Sequence, residues 1–146
     1  MTEQDFLIRI LLSMLCGGLL GLDRQIKRHP AGLRTLILVC MGATLIVMTD
    51  SFLRETFKTQ DSFRLSAQVV NGVGFIGAGA IIQSRASVKG LTTAATLWFT
   101  AAVGLAIGAG YYIGAVGSTV LALIVLAVLP WAERRLPVEE KSESES

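Results

Sequence analysis

RLSAQVVNGVGFIGAGAIIQSRASVKGLTTAATLW, residues 64–98, is the stretch on which the reading of the whole chain turns. One apolar, glycine-dense segment with a polar entrance passes through a short basic loop into a second apolar segment. Arg64, Gln68 and Asn71 follow i, i+4, i+7 spacing, which puts them on one face of a helix descending into apolar surroundings. Gly72, Gly74 and Gly77 match the dinucleotide-binding string G-x-G-x-x-G. That loop needs a preceding strand, a helix opening at the glycines and an acidic residue about 20 positions on. None is present. The glycines from Gly72 to Gly79 therefore read as close helix packing or as local unwinding of a span, which is tolerated at membrane depth only where protein or water satisfies the freed backbone.

Composition supports a membrane setting. The chain has 146 residues, 52% of them hydrophobic and only 16% charged, with a mean hydropathy of +0.60, which does not suit a soluble domain of this size. From Gly90 to Ala132 no Asp, Glu, Lys or Arg occurs. That run is about twice the ~20 residues needed to cross a bilayer as a helix, so a hairpin of two spans fits it. The net charge of +2 is small and the basic residues sit in short loops, so no nucleic-acid surface is expected.

Five spans follow, at about 6–22, 33–49, 65–82, 91–108 and 111–130, within a transmembrane domain of residues 1–132. Residues 133–146 are an expected disordered, acidic cytoplasmic tail. Glu3 and Asp5 give the wrong flank for a cleaved signal peptide, and Arg9 can snorkel to the interface. Gly17 and Gly21 form a G-x-x-x-G pair, and Pro30 breaks the helix in the basic loop that follows. Gly104, Gly108, Gly110, Gly114 and Gly117 give small faces to the last two spans. Residues 51–63 read either as an amphipathic surface helix or as a solvated loop. With Arg24, Lys27, Arg28, Arg34, Arg85, Lys89, Arg134, Arg135 and Lys141 inside, against Arg54, Lys58 and Arg64 outside, the N-terminus is expected outside and the C-terminus in the cytoplasm.

The polar residues within this frame have structural and functional readings. Asn71 in mid-span should hydrogen-bond across helices, or line an outward-facing polar cavity with Arg64 and Gln68. Asp23-Arg24 and Arg34 read either as local snorkelling charges or, the favoured reading, as an ion pair across the first hairpin. Thr92, Thr93 and Thr96 can bond back to their own helix or across to a neighbour. Cys16 and Cys40 read as buried packing, with a soft-metal or redox pair as the alternative. His29 is expected to be solvated. Neither Asp23 nor Asp50 makes an oxygen cage for Mg²⁺. No catalytic, cofactor-binding or metal-ligating residue is expected.

GLDRQ at 21–25, AGLRT at 31–35, AQVVNGVGFIGAGAII at 67–82 and VKGLTTAATLW at 88–98 together resemble the membrane domain of the MgtC/SapB family, over about residues 5–130. The resemblance implies a multi-pass protein of the bacterial inner membrane, with members linked to growth at low magnesium, virulence inside phagocytes and restraint of the F-type ATP synthase. By matched position it marks Asp23, Arg24, Arg34, Gln68, Asn71, Lys89 and the glycines Gly72, Gly74, Gly77 and Gly79, with Arg64 at the Arg that precedes the Ala-Gln pair. Asp23 stands where the family usually has Glu, and Leu36 where a His is common. The chain reads as a short form, without the soluble domain of longer members.

The expectation is an all-α polytopic helix bundle acting non-enzymatically, as a regulator or interaction partner in magnesium-linked or stress physiology. Its expected partners are the lipid bilayer, another inner-membrane protein or a second copy of itself. The rival is a small ion or solute transporter with a vestibule at Arg64, Gln68 and Asn71.

Overall fold

The computed structural model describes residues 3–58, 64–84 and 87–133. Five helices, α1 (Glu3–Ile26), α2 (Leu33–Phe57), α3 (Arg64–Gly79), α4 (Leu91–Gly108) and α5 (Tyr112–Glu133), are joined by short connections and one β-hairpin, β1 (Ile82–Ser84) and β2 (Ser87–Lys89). The all-α membrane bundle read from the sequence is what forms. α1, α2, α4 and α5 are each long and apolar enough to cross a bilayer. α3 has 16 residues, about 24 Å at 1.5 Å per residue.

Element ends follow local chemistry. α1 carries Glu3 and Asp5 in its first turn and Arg24 in its last, each of the sign that the helix dipole favours. It closes with Arg28 in the left-handed region at φ 56. There the Arg28 N–H donates to Gln25 O and the His29 N–H to Arg24 O, the paired bonds of a Schellman turn. α4 closes the same way, with Gly110 at φ 84 and bonds from Gly110 N–H to Ile107 O and from Tyr111 N–H to Ala106 O.

Three boundaries differ from the expected ones. α2 continues through residues 51–57, so this segment is neither a separate surface helix nor a loop; it ends at Lys58 with φ 50. The third apolar run leaves the helix at Gly79. Ile82 pairs with Lys89 and Gln83 with Val88 across the antiparallel hairpin, where a plain basic loop was expected. α5 runs past Pro130 to Glu133. The expected tail beyond that point, residues 134–146, lies outside the described residues, as do residues 59–63 and Arg85.

α2 is the central helix, packed most extensively on α1 and α4, with α5 outside against α4 and α1, and α3 against α4 and α2. Glycines set the two tight interfaces. A methyl group at Gly17 would lie 2.7 Å from the Leu36 carbonyl oxygen, and one at Gly21 2.7 Å from Leu33 Cα. On α4, Gly104 lies against the backbone of Cys40, and a methyl at Gly108 would come within 2.8 Å of Thr44 O. Backbones this close admit only hydrogen at the contact. Cys16 and Cys40, both free and buried, share one apolar cluster with Val103, Ile107 and Ala115.

Two ends of the bundle can be told apart. One gathers the C-terminus of α1, the N-terminus of α2, the hairpin, the N-terminus of α4 and the C-terminus of α5; here Arg24 reaches Thr93 and Lys27 reaches Leu126. At the other, Arg9 reaches Gly108 and Tyr112, and Asp50 accepts from Ser66 Oγ at 2.8 Å. α3 thus starts at the second end and finishes at the first. The chain passes between the two ends five times, with its first and last described residues at opposite ends.

Candidate functional site

The sequence-derived candidates separate into two places. Asp23, Arg24, Arg34 and Lys89 gather at the basic end, whereas Arg64, Gln68, Asn71 and the glycines lie along α3.

At the basic end, Asp23 does not pair with Arg34. Its carboxylate takes Lys27 at 2.8 Å, one helical turn away, and Arg34 stands exposed on the first turn of α2. The loop instead ties the two helices through Gln25, whose side-chain oxygen accepts the Leu33 N–H at 3.3 Å. Lys27 also donates to Leu126 O at 2.7 Å. That carbonyl is the one Pro130, lacking an N–H, cannot bond, so the proline supplies the acceptor that anchors α5 to α1. Lys89 is exposed on β2.

Arg24 is the unusual member. It is only 3% exposed, and its Nη2 donates to Thr93 Oγ1 at 2.9 Å. Its buried Nε has no partner among the described residues. Of the three threonines, Thr93 bonds across to α1, and Thr96 bonds back to Thr92 O. Nearby, His29 has its pKa pushed below 6.5 by partial burial and by the positive charges of Arg24 and Lys27, which outweigh Asp23.

The α3 site is an open surface. Val69, Val73 and Gly77 face the bundle, and a methyl at Gly77 would meet Ala94 at 3.6 Å, an ordinary contact. Gly72, Gly74 and Gly79 have no neighbour within 4 Å of a methyl placed there among the described residues, so they make no close helix contact of the kind seen at Gly17 or Gly104. The helix is regular through these glycines, without unwinding. Phe75 is 83% exposed. Gln68 and Gly72 line a groove of about 730 Å³ between α2 and α3, opposite Gly42, with Leu38, Ile46 and Ile76 as apolar walls. Asn71, halfway along α3, is exposed; no hydrogen bond from its amide is formed among the described residues.

Two ties escaped sequence reading. Arg9 does more than snorkel: its Nη1 donates to Gly108 O at 2.6 Å and its Nε to Tyr112 Oη at 3.1 Å, with the guanidinium 5.9 Å from the Tyr112 ring centroid. Asp50 anchors the start of α3 through Ser66. A charge early in a span was the signal for the first; nothing in the sequence pointed to the second. Among the described residues no group of three or more His, Cys, Asp or Glu side chains is placed to hold a metal ion.

This arrangement of blocks has relatives. A sequence model of the MgtC family matches residues 10–135. The chain belongs to the MgtC family. It is 41% identical over 129 residues to a protein of Escherichia coli K12 named "Putative magnesium transporter YhiD", covering 85% of this chain and 60% of that one. It is 35% identical to protein SapB of Bacillus subtilis, covering 98% and 64% respectively, and 37% identical to protein MgtC of Salmonella paratyphi A, covering 98% and 62%. The chain thus spans under two thirds of the length of these MgtC-family relatives. No solved structure matches it.

Proposed function

We propose that this MgtC-family chain is a non-enzymatic protein of the bacterial inner membrane that docks a transmembrane helix of another membrane protein against α3, and so regulates that partner in magnesium-linked or stress physiology. The observation that carries this reading is Asn71. An amide in the middle of a membrane helix with no partner among the described residues is costly in hydrocarbon and is relieved by a hydrogen bond across to another helix, worth on the order of 1 kcal/mol. Asn71 lies outside the lining of the α2–α3 groove, on the outward face of α3, and the open space around Gly72 and Gly74 beside it lets a partner backbone approach closely enough to form that bond. A matching helix would present small residues and one amide or hydroxyl. The family resemblance suggests an F-type ATP synthase subunit as one partner to test; a second copy of this chain is another.

The test is association measured with Asn71→Leu and Gly72→Leu variants. Both are expected to insert at parental levels and to lose co-purification of the membrane partner. Retention of that partner by both variants would contradict the reading. Gly77 is not a position for this test, because it faces α4.

A second reading, transport, has support in the printed name of the E. coli relative and in Gln68 lining the groove. Magnesium flux into liposomes holding the purified chain decides it: flux abolished by Gln68→Leu would favour transport over docking.

A further inference from the structure

At the basic end, Arg24 lies against the first turn of α4. A helix N-terminus carries about half a positive charge and N–H groups without intrahelical partners. Gly90, the residue before α4, makes no side-chain cap. A buried guanidinium is therefore set beside a second positive group, with its Nε unpartnered. The adjacent carboxylate, Asp23, is already held by Lys27. Cations inside apolar protein are stable when an anion compensates them; here the one nearby carboxylate, Asp23, is shared between Arg24 and Lys27, and Arg24 Nε keeps no partner among the described residues.

A second feature starts at the same place. An apolar groove of about 680 Å³ runs between α4 and α5 from Leu20, Thr92 and Leu126 towards Ala95, Phe99 and Ser118. Its upper end is bounded by Leu126, whose carbonyl holds Lys27. Thr92, beside the Thr93 that holds Arg24, lines the same end of this groove as Leu126, so cations stand next to the end of an apolar channel, an arrangement suited to an amphiphile with an anionic head.

We propose that this is a binding site for an anionic phospholipid. The phosphate sits at the free N–H groups of α4 under the charge of Arg24 and Lys27, and one acyl chain lies in the α4–α5 groove. Basic pockets between membrane helices are suited to such headgroups. The occupant is a lipid and not a free anion because the groove offers a long apolar surface that a bare phosphate leaves empty.

Native mass spectrometry of the full chain in detergent, with phosphatidylglycerol, phosphatidylcholine or inorganic phosphate added separately, tests this. Phosphatidylglycerol is expected to be retained at least ~10-fold more tightly than phosphatidylcholine, with no adduct from inorganic phosphate. Arg24→Gln should erase the preference. Ala95→Phe, on an exposed groove position, should weaken retention of phosphatidylglycerol by a similar factor, and it keeps the test decisive should Arg24→Gln fail to insert. Equal retention of the two lipids, unchanged retention of phosphatidylglycerol by Ala95→Phe, or phosphate binding as tightly as phosphatidylglycerol would each overturn the proposal.

Discussion

Arg9 and Arg24 are two cations carried into an apolar bundle, and their surroundings treat them differently. Arg9 meets the terminal carbonyl of α4 at Gly108, an acceptor left over by the helix end, and the ring and hydroxyl of Tyr112. Replacing it with Met leaves that carbonyl unpaired, so Arg9→Met should lower stability by about 1–3 kcal/mol, read as a loss of thermal midpoint in detergent; no change would mean that the tie is not formed. His29 offers a check on the basic end. Its folded pKa lies below 6.5, so the unfolded chain binds the proton more readily, and the contribution to stability is present above pH 6.5 and declines as pH falls below it. An NMR titration of His29 should give a midpoint below 6.5, and a midpoint at or above that value would contradict the partial desolvation and the neighbouring Arg24 and Lys27 charges that depress it. Sequence reading had these charges in the right loops but not their partners: a spacing argument favours neither Lys27 nor Arg34 for Asp23 once a turn brings both near, and α1 continuing to Ile26 settles it for Lys27.

At the scale of elements, identical glycine signals turn out to have opposite surroundings. Gly17 and Gly21 were legible as a packing pair because their spacing repeats on one face of a long span, and they do seat α2. Gly104 and Gly108 do the same for the other side of α2. Gly72, Gly74 and Gly79 look alike in sequence yet meet no neighbour within 4 Å among the described residues, because Val69, Val73 and Gly77 take the inward face of α3 and Gly72 opens onto the groove beside α2. Small residues advertise close approach without saying to what. Gly104→Leu should therefore cost about 1–3 kcal/mol or more by overpacking against α2, whereas Gly72→Leu should stay within about 0.5 kcal/mol; thermal unfolding of both variants in detergent compares them. A Gly72→Leu as damaging as Gly104→Leu would mean that α3 packs inward through that face. The hairpin at 82–89 was not legible because strands of three residues leave no alternating pattern to read. The helical continuation through residues 51–57 was hidden by charges that resemble a loop.

For the whole molecule, five passes between two chemically distinct ends follow from contacts at each end, and five apolar runs were enough to anticipate them. Which end faces the cytoplasm rests on the distribution of Lys and Arg. Single cysteines placed at His29 and Lys58 test it: an impermeant thiol reagent added to intact cells should label the Lys58→Cys variant, and the His29→Cys variant only after permeabilisation, while the native Cys16 and Cys40 stay buried. The reverse pattern would invert the bundle. The proposed docking role of α3 belongs to this scale too, since it would make the chain one part of a larger membrane assembly. Photo-crosslinking in native membranes from a probe at position 72, with Ile113 on α5 as a lipid-facing comparison at 86% exposure, addresses it most directly. The account predicts a discrete protein adduct from position 72, absent from position 113 and lost on Asn71→Leu; only lipid adducts from both positions would contradict it.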